Sequence, residues 1–332
     1  LFKEILGVEV TLPLPRLTFA DAMSRYGSDK PDTRFGMEIT DLTDVVKNCG
    51  FGVFTSAIAN GGTVRCITAK NGASTFTRKE IDKLTEYVKG IGVKALAYIR
   101  WVEDAPNCSF GKFLGEGELD KILAAAGAEK GDVVFIIADK KNTALTSLGA
   151  LRLKCARQLN IIPEGKFNFL WITEFPFFEW NEETQHWDAM HHPFTMPMDE
   201  CLQYLDTAPE KVFAKAYDLV LNGTELSSGS IRITDYELQQ KMFESLGLTD
   251  EEIEAKFGFL VEAYKYGAAP HGGMGIGLDR LAMIMCGADS LRDVTAFPKV
   301  QNASELMSNC PAAVDKDSLD ILGIEVTKSE DE

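Results

Sequence analysis

Two acidic residues in this sequence could hold a divalent cation. Asp218 lies in a strand-like run and Glu225 follows seven residues later, just after Gly223. Paired carboxylates supply the hard oxygen ligands that Mg²⁺ prefers, especially beside bound phosphate groups. The alternative is that they are two unrelated surface acids.

A serine and an arginine follow in a short extended segment. Ser230 and Arg232 alternate with Ile231, so a strand would place both polar side chains on one face. An arginine on a sheet can bind a carboxylate through two parallel hydrogen bonds. The alternative is a solvated arginine at the edge of the sheet.

Two adjacent histidines, His191 and His192, precede Pro193. Neighbouring side chains in an extended chain point in opposite directions, so both could not easily ligate one metal. Zinc would also need cysteine or carboxylate ligands at a suitable spacing, and none is obvious. A hydrogen-bonding role towards a substrate is the sharper interpretation, and one buried plus one surface histidine is the alternative.

A glycine-rich segment, residues 272–277, leads into an apolar helix that carries Arg280 in its first turn. Glycines in a strand mark positions where another backbone or a ligand comes close. A cation is unfavourable at the positive end of a helix, so a nearby anion would account for Arg280. The spacing matches neither the dinucleotide-binding nor the phosphate-loop pattern. The alternative is tight strand–helix packing, with Asp279 and Arg280 as an internal ion pair.

Length, composition and charge limit the kind of protein to which these residues belong. The chain has 332 residues, of which 45% are hydrophobic and 25% charged, so we expect two domains or one domain with an insertion. No run approaches 18 apolar residues, which argues against a membrane span. The seven cysteines are scattered and form no CxxC pair, which indicates a reducing, cytoplasmic location. The net charge of −16 argues against a nucleic-acid partner and means that an anionic substrate needs local cations.

The first half of the chain alternates predicted strands and helices. Thr18 is a plausible N-cap for a helix that ends at Gly27. Beyond residue 34 the pattern predicts strands at Gly52–Phe54 and 63–68, and a long helix over 145–159. The pattern in this region predicts an α+β module of roughly a hundred residues.

From Asn168 onward the sequence changes character. The aromatic run 169–180 predicts one long strand, and 216–223 and 230–233 predict two more. Helices are expected near 236–246 and 250–266.

Several segments, in the order in which they occur, resemble the class II aspartyl-tRNA synthetase family in its bacterial form. They are Arg25-Tyr26-Gly27-Ser28-Asp29-Lys30-Pro31-Asp32, Ala189-Met190-His191-His192-Pro193-Phe194-Thr195, Asn222-Gly223-x-Glu225, Gly229-Ser230-Ile231-Arg232, Lys265-Tyr266-Gly267, Gly277-Leu278-Asp279-Arg280 and Ala296-Phe297-Pro298-Lys299. The resemblance covers nearly the whole chain. It implies an α+β fold, in which helices flank the class II antiparallel sheet and an α+β module is inserted.

The resemblance also implies three segments. Residues 1–33 would be the part of the catalytic domain that leads to the insertion, and 34–160 would be the bacterial insertion domain, of the GAD-like type. Residues 161–332 would be the C-terminal half of the catalytic domain, including class II motif 3.

On the nucleotide side, the resemblance assigns Arg280 to the ATP phosphates. Gly277, Leu278 and Asp279 would form the wall beside the adenosine. Arg280 would act as a catalytic cation by neutralising the charge that develops on pyrophosphate.

On the amino-acid side, the resemblance assigns Arg232 to the side-chain carboxylate of L-aspartate. His191 and His192 would also lie at the aspartate site. Glu225 would contact ATP as a second catalytic residue and, together with Asp218, would hold Mg²⁺.

The implied activity is ATP-dependent activation of L-aspartate to aspartyl-adenylate, followed by transfer to the 3′ end of tRNA. The implied partners are aspartate, ATP, tRNA and a second copy of the chain in a homodimer, with no membrane. Related class II enzymes that activate asparagine or lysine are the nearest alternatives.

Two departures from the family pattern bear on these expectations. Ser227 and Ser228 replace part of a run of glycines. The sequence also shows no anticodon-binding barrel and no motif 1 or motif 2. We therefore expect an N-terminally truncated form that does not aminoacylate tRNA alone. The alternative is a non-catalytic class II paralogue that acts as a binding module.

Overall fold

The computed structural model describes residues 1–181 and 183–327, so the end of the predicted segment 161–332 lies outside the described residues. The chain divides into two compact units. One is Val8–Ile276, and the other joins Leu1–Gly7 with Gly277–Glu332. Among the described residues no helix combines the length and the apolar character needed to cross a bilayer.

The larger unit contains a five-stranded sheet, here called the site sheet, in the order β1-β7-β10-β11-β12. Its β1–β7 pair is parallel and the other neighbours are antiparallel. The strands are β1 (Arg16–Thr18), β7 (Phe169–Pro176), β10 (Phe213–Leu221), β11 (Thr224–Ile231) and β12 (Gly272–Ile276).

Three helices accompany this sheet: α1 (Phe19–Tyr26), α7 (Tyr236–Ser245) and α8 (Asp250–Lys265). Each begins at a residue whose side chain accepts a backbone N–H: Thr18, Asp235 and Thr249 respectively. The predicted N-cap at Thr18 is therefore confirmed. The core against the sheet is apolar and includes Ile172, Phe175, Val220 and Met242. A separate short hairpin consists of β8 (Phe178–Asn181) and β9 (His186–Ala189).

A second five-stranded sheet, here called the module sheet, is antiparallel throughout and has the order β2-β3-β6-β4-β5. Its strands all lie between β1 and β7 in sequence. They are β2 (Thr40–Asp41), β3 (Thr63–Ala69), β4 (Ala97–Arg100), β5 (Asn107–Cys108) and β6 (Val133–Asp139). The boundaries 34 and 160 remain a prediction.

Helices cover both faces of the module sheet. They are α2 (Thr43–Val46), α3 (Gly52–Ala59), α4 (Arg78–Gly90), α5 (Glu118–Ala125) and α6 (Lys141–Gln158). Alternate residues of β6 enter different cores: Phe135 and Ile137 belong to one apolar cluster, and Val134 and Ile136 belong to the other. This alternation is what a central strand with two covered faces requires.

The smaller unit is helical. It contains a five-residue π-helix, Phe2–Leu6, followed after the larger unit by α9 (Leu278–Cys286), a 3₁₀ turn at Leu291–Asp293 and α10 (Lys316–Leu322). Arg280 lies in the first turn of α9, as predicted.

The α+β class is confirmed, with antiparallel-rich sheets flanked by helices. Two local predictions were wrong. Gly52–Phe54 begins helix α3 instead of forming a strand, because the Phe54 ring packs edge-on against Phe51 and Phe110. The run 169–180 is interrupted at Phe177, so it forms two strands in different sheets.

Candidate functional site

A cavity of about 480 Å³ opens beside the end of the site sheet. Its walls come from β10, β11, β12 and the loop that follows β9. The lining residues are His191, His192, Thr195, Ala216, Ser228, Gly229, Ser230, Arg232, His271, Gly272, Gly273, Met274 and Gly275. All three residues predicted for the aspartate site, His191, His192 and Arg232, therefore line one cavity.

Arg232 lies just beyond the end of β11, with its backbone held on two sides. It forms an antiparallel bridge with Thr195, and its N–H donates to the carbonyl of His271 at 3.0 Å. The guanidinium Nη1 donates to Ser230 Oγ at 3.0 Å and also contacts the His192 ring. Ser230 and Arg232 thus lie on one face, as the alternation predicted, and their polar groups line the cavity.

The loop that carries the histidines is aligned along the end of β11. Met196 N–H donates to Ile231 O at 2.8 Å, and Ile233 N–H donates to Phe194 O at 3.0 Å. From helix α7 the buried Gln239 side chain donates its Nε2 to Pro193 O at 2.9 Å. These hydrogen bonds hold the backbone of the loop, and they therefore position the rings of His191 and His192 at the cavity.

Both histidines have pKa values below the ordinary range, which favours neutral rings at pH 7. Burial is the main cause for each. The nearby Arg232 charge lowers the pKa of His192 further, whereas the carboxylates of Glu225 and Asp29 partly offset the effect on His191. Nε2 of His191 is buried and has no hydrogen-bond partner within residues 1–181 and 183–327. A neutral imidazole in this position can donate to or accept from a ligand.

Asp218 and Glu225 lie on adjacent strands of one hairpin. β10 pairs with β11 so that Asp218 faces Ser228 and Val220 faces Glu225, and the turn contains Asn222 and Gly223. Asp218 is only 5% exposed, and its Oδ1 has no hydrogen-bond partner among the residues whose placement is described. Burial raises its pKa to about 6, and the neighbouring Glu225 charge adds to the effect. An orphaned buried carboxylate oxygen is unusual and marks a position suited to a cation.

Sequence reasoning did not assign a role to Asp29 and Lys30, which reach the same hairpin from a distant part of the chain. Lys30 Nζ lies 3.7 Å from Glu225 Oε2 and 3.5 Å from Asp29 Oδ1. The Asp29 charge also raises the pKa values of Asp218 and His191. The only sequence signal was that the turn-like segment 28–32 matched a family motif.

Three glycines of β12, next to Met274, contribute only backbone to the wall of the cavity. A Cβ added at Gly272 would lie 2.9 Å from the backbone oxygen of Ser230, so the strands approach too closely there for a larger residue. A Cβ at Gly273 or Gly275 would meet nothing within 4 Å. The interpretation that these glycines allow close approach of a backbone is confirmed at Gly272, and at Gly273 and Gly275 they leave open space beside the cavity.

The other residues predicted for the nucleotide side belong to the smaller unit. Gly277 is the N-cap of α9, and Leu278, Asp279 and Arg280 form its first turn. All three of those side chains are exposed. Their roles in nucleotide binding stay predictions.

Sequence reasoning also missed Thr195, Ser228 and His271 as cavity-lining residues, and Gln239 as a support for the loop. Thr195 was visible as part of a family motif. Ser228 was noted only as a departure from the family's run of glycines. His271 and Gln239 have no distinctive sequence context, because an isolated polar residue in a loop or helix does not reveal that a cavity lies beside it.

Comparison with known proteins identifies the family. The sequence profile described as tRNA synthetases class II (D, K and N) matches residues 1–301. An aspartate–tRNA ligase of Ruminiclostridium cellulolyticum is 56% identical over 98% of this chain and 55% of that protein. One from Clostridium perfringens is 54% identical over 99% of this chain and 55% of the relative. An aspartate–tRNA(Asp/Asn) ligase of Lachnoclostridium phytofermentans is 53% identical, with coverages of 99% and 55%.

Among solved structures, an aspartyl-tRNA synthetase from Entamoeba histolytica is 25% identical, with a TM-score of 0.33, over 46% of this chain and 26% of that one. The chain spans about half the length of the curated relatives it matches, 55% in the examples above. The profile match covers most of the sequence, and the chain belongs to the family of class II tRNA synthetases of the D, K and N type.

Proposed function

We propose that this chain carries the amino-acid side of an aspartate–tRNA ligase site, which activates L-aspartate with ATP and transfers it to tRNA. The observation that carries the proposal is the grouping of Arg232, His191 and His192 around one cavity next to the Asp218–Glu225 hairpin. The names of the relatives support aspartate as the substrate.

Arg232 is the group proposed to select aspartate. Its half-buried guanidinium lines the cavity, and Ser230 Oγ orients it through the 3.0 Å hydrogen bond. A partly desolvated arginine stabilises a carboxylate through charge-assisted hydrogen bonds and leaves the uncharged amide of asparagine poorly matched. The neutral imidazoles of His191 and His192 would hydrogen-bond the bound amino acid without adding charge.

At the hairpin, the donor set fits a Mg²⁺ ion. Asp218 has an orphaned buried oxygen, and Glu225 lies on the neighbouring strand, so both could supply the oxygen ligands that this ion prefers. When bound, Mg²⁺ would neutralise negative charge on the phosphates of ATP. We assign Glu225 to ATP as well, Arg280 to the phosphates, and Gly277, Leu278 and Asp279 to the wall beside the adenosine.

The proposed reaction has two steps. An oxygen of the aspartate α-carboxylate attacks the α-phosphorus of ATP, the bond from that phosphorus to the bridging oxygen breaks, and pyrophosphate leaves. A hydroxyl at the 3′ end of tRNA then attacks the acyl carbon, and AMP leaves. Since both reactants of the first step are anions, the protein contributes mainly positioning and compensating positive charge.

The same proposal extends to organisation and partners. Residues 1–33 and 161–332 would belong to the catalytic domain, and 34–160 would form an inserted domain. We also propose a homodimer in the cytoplasm with tRNA as the nucleic-acid partner, as the family resemblance implies.

The test is aspartate-dependent exchange of pyrophosphate into ATP by the complete gene product. We expect exchange with aspartate and little with asparagine. Arg232→Gln should lower kcat/KM for aspartate by roughly 10³-fold, since the carboxylate would lose its charged partner. Arg65→Gln is the matched control, because Arg65 pairs with Asp41 on the module sheet, away from the cavity.

Equal loss in both variants would show general damage and would remove support for the role of Arg232. Nucleotide binding without exchange for any amino acid would reject the ligase and favour the binding-module alternative. Exchange with asparagine or lysine instead of aspartate would keep the reaction and reassign the substrate.

A further inference from the structure

A short segment connects the inserted strands to the candidate site. Residues 26–37, here called the junction segment, run from the end of α1 towards β2. Near their start, Lys30 Nζ lies 3.7 Å from Glu225 Oε2. A Cβ built on Gly223 would lie 3.1 Å from Asp32 Cβ, so the segment also packs against the turn between β10 and β11.

Arg152, on helix α6, also binds this segment. Its Nη2 donates to the carbonyl oxygens of Asp32, Phe35 and Gly36 at 2.9, 3.0 and 2.9 Å, and its Nε donates to Met37 O at 3.0 Å. Four carbonyl groups of an irregular loop are therefore bound by one side chain. Backbone carbonyls in loops normally accept hydrogen bonds from water, and here the guanidinium N–H groups of Arg152 take the place of that water.

The guanidinium is also enclosed by aromatic rings. Its central carbon lies 4.0 Å from the centroid of Phe35 and 5.0 Å from that of Tyr26. Arg152 is only 1% exposed, which is rare for arginine. A buried cation is tolerated where hydrogen-bond acceptors and ring faces replace its hydration shell, as they do here.

Helix α6 holds the start of the segment by direct backbone contact as well. A Cβ at Gly149 would lie 2.5 Å from Gly27 O and 2.7 Å from Tyr26 O. The two backbones thus come into contact at Gly27 and Gly149. Gly149 lies about one helical turn before Arg152 on α6. The junction segment is fixed at its beginning by the glycine pair and along its length by Arg152.

We propose that Arg152 is a positioning residue for the candidate site: through the junction segment, the inserted helix α6 sets where Asp29, Lys30 and the Gly223 turn lie. The consequence for activity rests on the proposed function, whereas the consequence for the segment does not. The two can therefore be tested separately.

The first test is backbone amide hydrogen exchange on the complete gene product. Arg152→Met keeps an aliphatic chain but removes the donors, so amides in residues 28–37 should exchange about 10-fold faster or more. Amides of β6, residues 133–137, should keep their protection. Arg65→Met is the control, because Arg65 is a partly buried arginine of the same module that bonds to Asp41 and Thr63.

Unchanged exchange in residues 28–37 would overturn the proposal, and so would equal acceleration in the Arg65→Met control. If Arg152→Met does not fold, Arg152→Lys replaces it, since a lysine keeps the charge but cannot serve four carbonyls. Partial acceleration of exchange in Arg152→Lys supports the proposal. Exchange that is not accelerated at all in this variant overturns it.

The second test measures pyrophosphate exchange in a double-mutant cycle. A displaced site segment should lower kcat/KM by roughly 10-fold to 100-fold in Arg152→Met. If Arg152 acts through the junction segment, its effect should be much smaller in a Lys30→Met background, and strictly additive effects overturn the proposal. Absence of exchange in the unmodified protein would reject the proposed function alone, and hydrogen exchange would still decide the role of Arg152.

Discussion

Each sheet of the larger unit has a buried aspartate, one immediately before β6 of the module sheet and one within β10 of the site sheet, and the two differ in their hydrogen bonding. Asp132 in the inserted region is 4% exposed, and Asp218 in the site sheet is 5% exposed. Asp132 accepts hydrogen bonds from the backbone of Asn71 and Glu129 and from Lys70 Nζ, at 2.8 to 2.9 Å. Asp218 keeps an oxygen that meets no donor in the described part of the chain.

The sheets differ in the same way along whole strands. The five residues 133–137 of β6 are all buried between two covered faces, whereas every residue of β12 is exposed. Strand β6 and Asp132 are thus fully packed and hydrogen-bonded, whereas β12 is open on its exposed side and Asp218 keeps an unpaired oxygen among the described residues. An unsatisfied buried charge costs stability, so it persists where it contributes to function.

The largest expected effect contrasts the cores of the two sheets. Phe135 is fully buried and packs edge-on against Phe76, so Phe135→Ala should lower the free energy of unfolding by about 3 to 5 kcal/mol. Met274 on β12 is 41% exposed, and Met274→Ala should change the free energy of unfolding by less than about 0.5 kcal/mol. Denaturant titration of both variants measures the difference. Similar losses would contradict the contrast between the sheets.

The second prediction concerns the two aspartates. Asp132→Asn should destabilise the fold by about 1 to 3 kcal/mol, because charge-assisted bonds are lost. Asp218→Asn should instead stabilise the protein at pH 7 in the absence of divalent cations. The shift of its pKa from 3.8 to about 6 corresponds to roughly 3 kcal/mol. Thermal unfolding of both variants should therefore show shifts of opposite sign.

The pH dependence provides the control for Asp218. The folded state raises this pKa, so folded protein retains a proton between pH 3.8 and about 6 that unfolded protein has released. The contribution of Asp218 to stability is therefore lost as pH rises through that window. The stabilising effect of Asp218→Asn should vanish below about pH 4 and be complete above pH 6. A pH-independent gain would mean that charge is not the cause.

Residues with regular patterns were predictable from sequence, and residues brought together by long-range packing were not. Alternation placed Ser230 beside Arg232, and Thr18 capped its helix as expected. Gly52–Phe54 was misread because a short apolar run does not distinguish a strand from a buried helix, and contacts with Phe110 decide it.

The site itself was predicted only as separate pieces. Family motifs supplied His191, His192 and Arg232, and the structure places them around one cavity. Lys30 and Arg152 could not be foreseen, because the inserted strands separate Lys30 from Glu225 in sequence and a buried arginine has no local signature. Long-range approach of this kind depends on the topology of the whole unit.

The third prediction tests the contact that joins the inserted region to α1. Gly149→Ala would drive a methyl group into the carbonyls of Tyr26 and Gly27, which are backbone atoms that cannot rotate away. We expect a loss of about 1 to 3 kcal/mol in the free energy of unfolding. Gly90→Ala, at the end of α4, has nothing within 4 Å and should be neutral or slightly stabilising. A neutral Gly149→Ala would show that the helices separate without cost.

The smallest expected effect compares helix caps in the two regions. At α8, Thr249 Oγ1 accepts the Glu252 N–H at 3.3 Å, and the Glu252 carboxylate accepts the Thr249 N–H at 3.0 Å. At α4, Thr77 accepts the Glu80 N–H at 3.4 Å. Thr249→Ala should therefore cost about 1 kcal/mol and Thr77→Ala about 0.5 kcal/mol.

Acid provides a further distinction between these caps. The hydrogen bond from the Thr249 backbone lowers the pKa of Glu252, so the contribution of this carboxylate to stability is present above its ordinary pKa of 4.5. It is lost as pH falls through the lower folded value, because the protonated group no longer accepts as strongly. The cost of Glu252→Ala in thermal unfolding should therefore shrink in acid, because this variant removes the carboxylate that accepts the Thr249 N–H. A cost that stays constant down to pH 3 would show that the reciprocal bond from Glu252 adds nothing to this cap.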